Sequence, residues 1–137
     1  MSSGTARAPR GLLDTCVVVD LANIPAQSLP VKPVVSTVTV AEIAAGVQTA
    51  SDPVQRSLRV TQLLMVEANL NPLEFGNETA RAYGMMVALV VAAGRSPRPR
   101  KFDLMIAATA VAHGLPLYTR NVDDFKGLES QLTVIPV

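Results

Sequence analysis

The stretch FDLMIAATAVAHGLPLYTRNVDDF, residues 102–125, decides how the rest of the chain is read. Leu104 to His113 is almost wholly apolar and has helix-forming composition. Gly114 stands just past it, where a helix commonly ends in the left-handed conformation that glycine adopts without strain. Leu115 to Thr119 follows as a short apolar run of strand length, Arg120 to Asp124 as a polar turn, and Phe125 as the start of a short helical segment. An apolar helix feeding an apolar strand predicts elements buried on most sides. Strands of that kind belong to parallel sheets covered by helices on both faces.

The same alternation recurs on either side. Leu12-Leu13 stops at Asp14 and Cys16 to Val19 resumes the apolar character, which predicts a strand turning into a helix. Pro25, Pro30 and Pro33 mark a loop before a second strand at Val34-Val35-Ser36. Thr39 followed three residues later by Glu42, ahead of Ile43 and Val47, matches the capping box. From Asp52 to Asn69 the apolar positions Val54, Leu58, Leu64 and Met65 recur at helical spacing, with Gln55, Arg56 and Arg59 on other faces, predicting an amphipathic helix. Leu73 and Phe75 predict a short strand, Asn77 caps a helix that runs to Ala93 and stops at Gly94, and Leu132 to Val137 is a terminal strand. The fold predicted is a three-layer α/β/α domain with a central, mostly parallel sheet. It spans residues 11–137, after a flexible leader at residues 1–10 composed of Ser, Gly, Ala, Pro and Arg.

Composition narrows the functional classes. The chain has 137 residues, enough to bury a core without disulfides or a structural metal, and its single cysteine, Cys16, points to a reducing, cytoplasmic setting. Residues 1–10 lack the apolar run of a secretory signal, and the longest apolar segment, Ala82 to Gly94, is too short to span a membrane. With 12 Lys+Arg against 11 Asp+Glu the net charge is only +1, so a polyanion would have to be held by a local patch. Such a patch exists: Arg95 to Lys101 carries four cations and two prolines in seven residues, a basic surface loop directly before Asp103.

In open α/β sheets ligands bind at the carboxyl ends of the strands. Asp14, Glu42 and Asp103, with Asn121, Asp123 and Asp124, all fall at predicted strand ends or helix starts. Each taken singly is explained as a helix cap. Brought together, such acids repel one another unless a cation neutralises them, and a set of oxygen ligands selects a hard ion, Mg²⁺ or Mn²⁺. The lone histidine, His113, sits at a helix end and excludes a two-histidine ribonuclease. No G-x-S-x-G elbow and no Gly-rich phosphate loop is present. Water activated by a metal is the chemistry left. Tyr83, Phe102 and Tyr118 are read as core packing in preference to base stacking.

Four segments together resemble the PIN domain of the VapC toxin type: Leu12-Leu13-Asp14-Thr15; Ser36 to Ile43 with Gly46; Phe102 to Ala110; and Tyr118 to Phe125. The resemblance implies a Mg²⁺-dependent endoribonuclease, the toxin of a toxin–antitoxin pair, inhibited by a cognate VapB-type antitoxin. It implies Asp14 and Asp103 as principal metal ligands, Glu42 completing the set, and Asn121 or Asp124 as the fourth, so that Asp14, Glu42, Asp103 and Asp124 form the catalytic group. Arg95, Arg98, Arg100, Lys101 and Arg120 are the candidate RNA contacts. Cys16 departs from the serine common at its position.

Two other classes are open at this stage. One is a Mg²⁺-dependent phosphatase or phospho-receiver, disfavoured by Cys16 where a second aspartate is needed and by Arg120 where a lysine is needed. The other is a catalytically silent RNA- or partner-binding module. Segment 82–94, apolar on more faces than a half-exposed helix should be, predicts a homodimer.

Overall fold

A computed structural model describes residues 7–137. Four strands, β1 (Arg10–Leu13), β2 (Lys32–Val34), β3 (Leu117–Thr119) and β4 (Val134–Pro136), form one sheet in the order β2-β1-β3-β4, with every pairing parallel. Five helices accompany them: α1 (Thr15–Val19), α2 (Thr37–Gln48), α3 (Pro53–Asn69), α4 (Asn77–Ala92) and α5 (Lys101–Ala112). Leu73 adds only an isolated bridge to Ser36, so the third predicted strand is reduced to one pair.

The sheet separates two apolar clusters because successive strand residues point to opposite faces. Leu12, Val34 and Leu117 pack with Met86 and Val90 of α4 and Leu104 and Ile106 of α5. Leu13, Val35 and Tyr118 pack on the other side with Val17 of α1, Ile43 of α2 and Val66 of α3. This is the predicted three-layer arrangement. It brings the carboxyl ends of the two central strands, Leu13 and Thr119, to the same edge, where Asp14 donates its backbone N–H to the Tyr118 carbonyl at 2.9 Å.

Three local expectations are corrected. The predicted leader spans residues 1–10, of which 1–6 lie outside the described residues. Residues 7–10 are already part of the fold: Val31 and Lys32 donate to the Ala8 and Pro9 carbonyls, the Arg7 side chain bonds the Leu29 and Pro30 carbonyls, and Arg10 begins β1. Of the four apolar positions expected on the inner face of α3, Met65 packs against the core, whereas Val54, Leu58 and Leu64 face solvent at 72%, 67% and 61% exposure. The helix packs through Leu63, Val66 and the following Leu70, while Arg56 and Arg59 donate to the Val47 and Gly46 carbonyls at the end of α2. Burying that face and satisfying those orphan helix-end carbonyls go together in the orientation that α3 takes. Finally, Ser36 caps α2, its hydroxyl accepting the Val38 N–H at 3.0 Å, so Thr39 lies inside the first turn and no Thr39–Glu42 capping box forms.

Gly11 is fixed by close approach. A Cβ there would stand 2.5 Å from Tyr118 Cε1 and 3.0 Å from Pro30 Cβ, and the Tyr118 ring is buried. Gly11→Ala is expected to destabilise the chain by about 1–3 kcal/mol, the usual cost of overpacking. Calorimetry should record a Tm lower by about 3–10 °C; an unchanged Tm would mean that the ring yields freely.

Candidate active site

Asp14 directly follows β1 and is the N-cap of α1. Its Oδ1 accepts the Thr15 N–H at 2.9 Å. Its Oδ2 accepts the Thr119 hydroxyl at 2.8 Å and the Cys16 thiol at 3.3 Å. The Thr119 hydroxyl in turn accepts the Asn121 N–H at 3.0 Å, which aims its proton at Asp14. Asp14 is only 3% exposed, and a polar group so buried is costly unless it is hydrogen-bonded, as these donors make it. A carboxylate has about four acceptor positions, so three donors fix its orientation and leave room for a further ligand. Burial pushes the Cys16 thiol up, which keeps its proton available to Asp14.

Glu42 lies one turn into α2, and its side chain is held from another element. The Thr15 hydroxyl donates to Glu42 Oε1 at 2.7 Å and itself accepts from the Thr39 hydroxyl at 2.9 Å. The absent capping box thus frees Glu42 for the sheet edge. Asp103 stands in the first turn of α5 and Asp124 in the 3-10 turn Val122–Phe125 that follows β3. Burial, and after it the charges of Asp14, Asp124 and Glu42, push the Asp103 carboxyl up to about 7, with Arg100 working against them. Three acids that are distant from Asp103 in sequence or lie on other elements thus act on it across a single site. Asp123 and Asn121 are exposed, and it is Asp124 whose charge reaches Asp103.

The basic residues divide. Arg98 and Lys101 line an open cleft of about 330 Å³ together with Glu42, Pro99, Phe102 and Asp103. Arg95 instead donates to the Lys126 carbonyl and Arg100 to the Ser96 carbonyl, both at 2.9 Å, which fastens the loop. Arg120 pairs with Asp20. Residues 98–100 form a 3-10 turn and α5 begins at Lys101, so the basic segment is more regular than a loop. Phe102, expected in the core, is 55% exposed beside this cleft. Tyr118 is buried and Tyr83 packs partly buried against the core, as expected.

Sequence reasoning missed the hydroxyls of Thr15, Thr39 and Thr119. For two of them a signal was present: Thr15 directly follows Asp14, and Thr119 ends the adjacent strand.

The donor set suits a hard divalent cation. It is made of oxygens, and the mutual repulsion felt at Asp103 is the kind that a cation relieves. Among the described residues no three His, Cys, Asp or Glu side chains are gathered as a cage for an ion.

The PIN domain family matches residues 12–129 of this chain. The chain belongs to the PIN-domain family. Ribonuclease VapC5 of Mycobacterium tuberculosis is 31% identical over 127 residues, covering 90% of this chain and 91% of that protein, which places this PIN domain with the VapC members. The crystal structure of VapBC-5 from the same organism, a member of the VapBC family of toxin–antitoxin systems, superposes with a TM-score of 0.80 at 30% identity, over 94% of this chain and 98% of that one. VapBC2 from Rickettsia felis, bound to a DNA fragment from its promoter, has a TM-score of 0.78 at 19% identity over 93% and 98% of the two chains, a likeness of fold. No helix among the described residues of the PIN domain is long and apolar enough to cross a membrane.

Proposed function

We propose that this PIN domain is a Mg²⁺-dependent endoribonuclease, with Mn²⁺ as a substitute, acting in the cytoplasm as the toxin of a VapBC-type pair and restrained by a VapB-type antitoxin. The observation that carries the reading is the convergence of Asp14, Glu42 and Asp124 on Asp103 at one end of the sheet, where burial and their charges push its carboxyl up. The likeness to Ribonuclease VapC5 and to the VapBC-5 structure supports the substrate class and the partner.

Asp14 and Asp103 would hold the ion, with Glu42 and Asp124 completing its surroundings. When bound, a divalent ion supplies Lewis acidity to the scissile phosphodiester and to the attacking water. The chain's own residues do the positioning. Thr119 and Cys16 hold Asp14 in its orientation, Thr15 steers Glu42, and Arg98 and Lys101 offer cations to the RNA backbone without reading sequence.

The purified chain is expected to cleave RNA when Mg²⁺ or Mn²⁺ is added and to stop on chelation. Cleavage that continues in excess EDTA would remove the metal from the proposal. A short reading frame for a small DNA-binding protein directly upstream would bear out the antitoxin.

The proposal includes a homodimer. The outward face of α4 carries Gly84, Met85, Ala88 and Val91, an apolar strip with Met85 and Val91 at 46% and 56% exposure. Light scattering is expected to give twice the chain mass at micromolar concentration. Met85→Glu with Val91→Glu should halve it, and a wild-type monomer at every concentration would reject the dimer.

A further inference from the structure

Phe102 occupies a place that costs the protein something, because an aromatic ring in water forfeits the burial that its large apolar area would gain. It is 55% exposed, one residue before Asp103, and it lines the cleft with the acids Glu42 and Asp103 and the cations Arg98 and Lys101. Ring, acids and cations thus share one cavity of about 330 Å³. Cations that hold a phosphate beside a flat apolar face make the combination by which single-stranded nucleic acid is bound: the backbone is tracked by charge and a base stacks on the ring. The ring also borders a more apolar pocket with Ala41, Ala45, Gly46 and Thr49, where a protein partner's side chain would compete, and the cations of the cleft favour the nucleic acid.

We propose that Phe102 is a stacking platform for a nucleobase next to the scissile phosphate. This inference rests on the ribonuclease reading above. In a duplex the base faces are occupied by their neighbours, and a base reaches such a ring only after unstacking. The ring reads no sequence, because every base has a face to stack.

The test is steady-state cleavage of a short single-stranded RNA in Mg²⁺, with the cut position mapped, by wild type and by Phe102→Ala, Phe102→Tyr and Phe102→Leu. Phe102→Ala is expected to raise KM by about 5- to 100-fold, the range for losing one stacked base, with kcat changed less and Tm preserved. Phe102→Tyr should restore the wild-type KM and Phe102→Leu should not. An abasic nucleotide beside the cut should raise the wild-type KM by the same factor and leave Phe102→Ala unaffected, and the same sequence as a duplex should be a poorer substrate. Wild-type KM in Phe102→Ala, or Phe102→Leu performing as well as Phe102→Tyr, would overturn the inference. So would Phe102→Ala with normal RNA kinetics but lost antitoxin inhibition, which would assign the ring to a protein interface. Those results strike the stacking role alone, whereas wild-type protein that leaves RNA intact in both Mg²⁺ and Mn²⁺ strikes the ribonuclease reading and this inference with it.

Discussion

Asp14→Asn is expected to lower the rate of RNA cleavage by about 10²–10³-fold, the scale of losing several kcal/mol of transition-state charge stabilisation. The loss should come without unfolding. The substituted side chain keeps an oxygen for the Thr15 N–H, and the Thr119 hydroxyl can turn to accept from the new amide while still accepting from Asn121. The charge-assisted bond from Thr119 becomes a neutral one, which should cost about 1–2 kcal/mol of stability. Asp103→Asn should match the loss of cleavage. Circular dichroism and thermal melts beside the cleavage assay separate the two effects. A folded Asp14→Asn protein that cleaves at the wild-type rate in Mg²⁺ would exclude Asp14 from the catalytic group.

Asp103 makes a second prediction, in which proton and cation compete. In the unfolded chain its carboxyl titrates near 4, whereas in the folded chain it is pushed up to about 7. Between those values the folded state holds a proton that the unfolded state has released, so without metal this residue makes stability fall as pH rises through the window. The carboxyl is half-buried and water screens part of the effect, leaving about 1–2 kcal/mol. In EDTA, Asp103→Asn is therefore expected to be more stable than wild type at pH 8 and to converge with it toward pH 4. In the presence of the ion the same proton must leave before Asp103 can serve as a ligand, so Mg²⁺ affinity should weaken by about tenfold for each pH unit below 7. Titration calorimetry at three pH values, with melts of both proteins in EDTA, measures this. Parallel melting curves across the whole range, or Mg²⁺ affinity indifferent to pH, would contradict it.

The architecture was legible because burial in this chain is written locally. Leu104, Ile106, Ala107, Ala108 and Ala110 are all fully buried, so α5 could be read from its apolar run and from Gly114, whose φ of +64° ends it. Leu12-Leu13 followed by Asp14 is equally plain, since a buried strand that stops at a carboxylate has reached an edge. The orientation of α3 was not legible. Its apolar residues suggest one face, but the carbonyls left open at the end of α2 attract Arg56 and Arg59 and present another. A capping box and the Ser36 cap look alike within the sequence; the difference was made by Thr15, which reaches Glu42 across 27 positions.

The sequence by itself determined where strands and helices alternate and which acids stand at their ends, because hydrophobic periodicity and chain-breaking residues act over a few positions. Only the tertiary structure decided which acids meet, how they are held and which cations and aromatic face the cleft. Asp14, Glu42, Asp103 and Asp124 belong to four elements, and their coupling depends on the parallel pairing of β1 with β3 and on hydroxyls from Thr15 and Thr119. Electrostatic repulsion and hydrogen bonding act over ångströms in space, and no spacing along the chain records that distance.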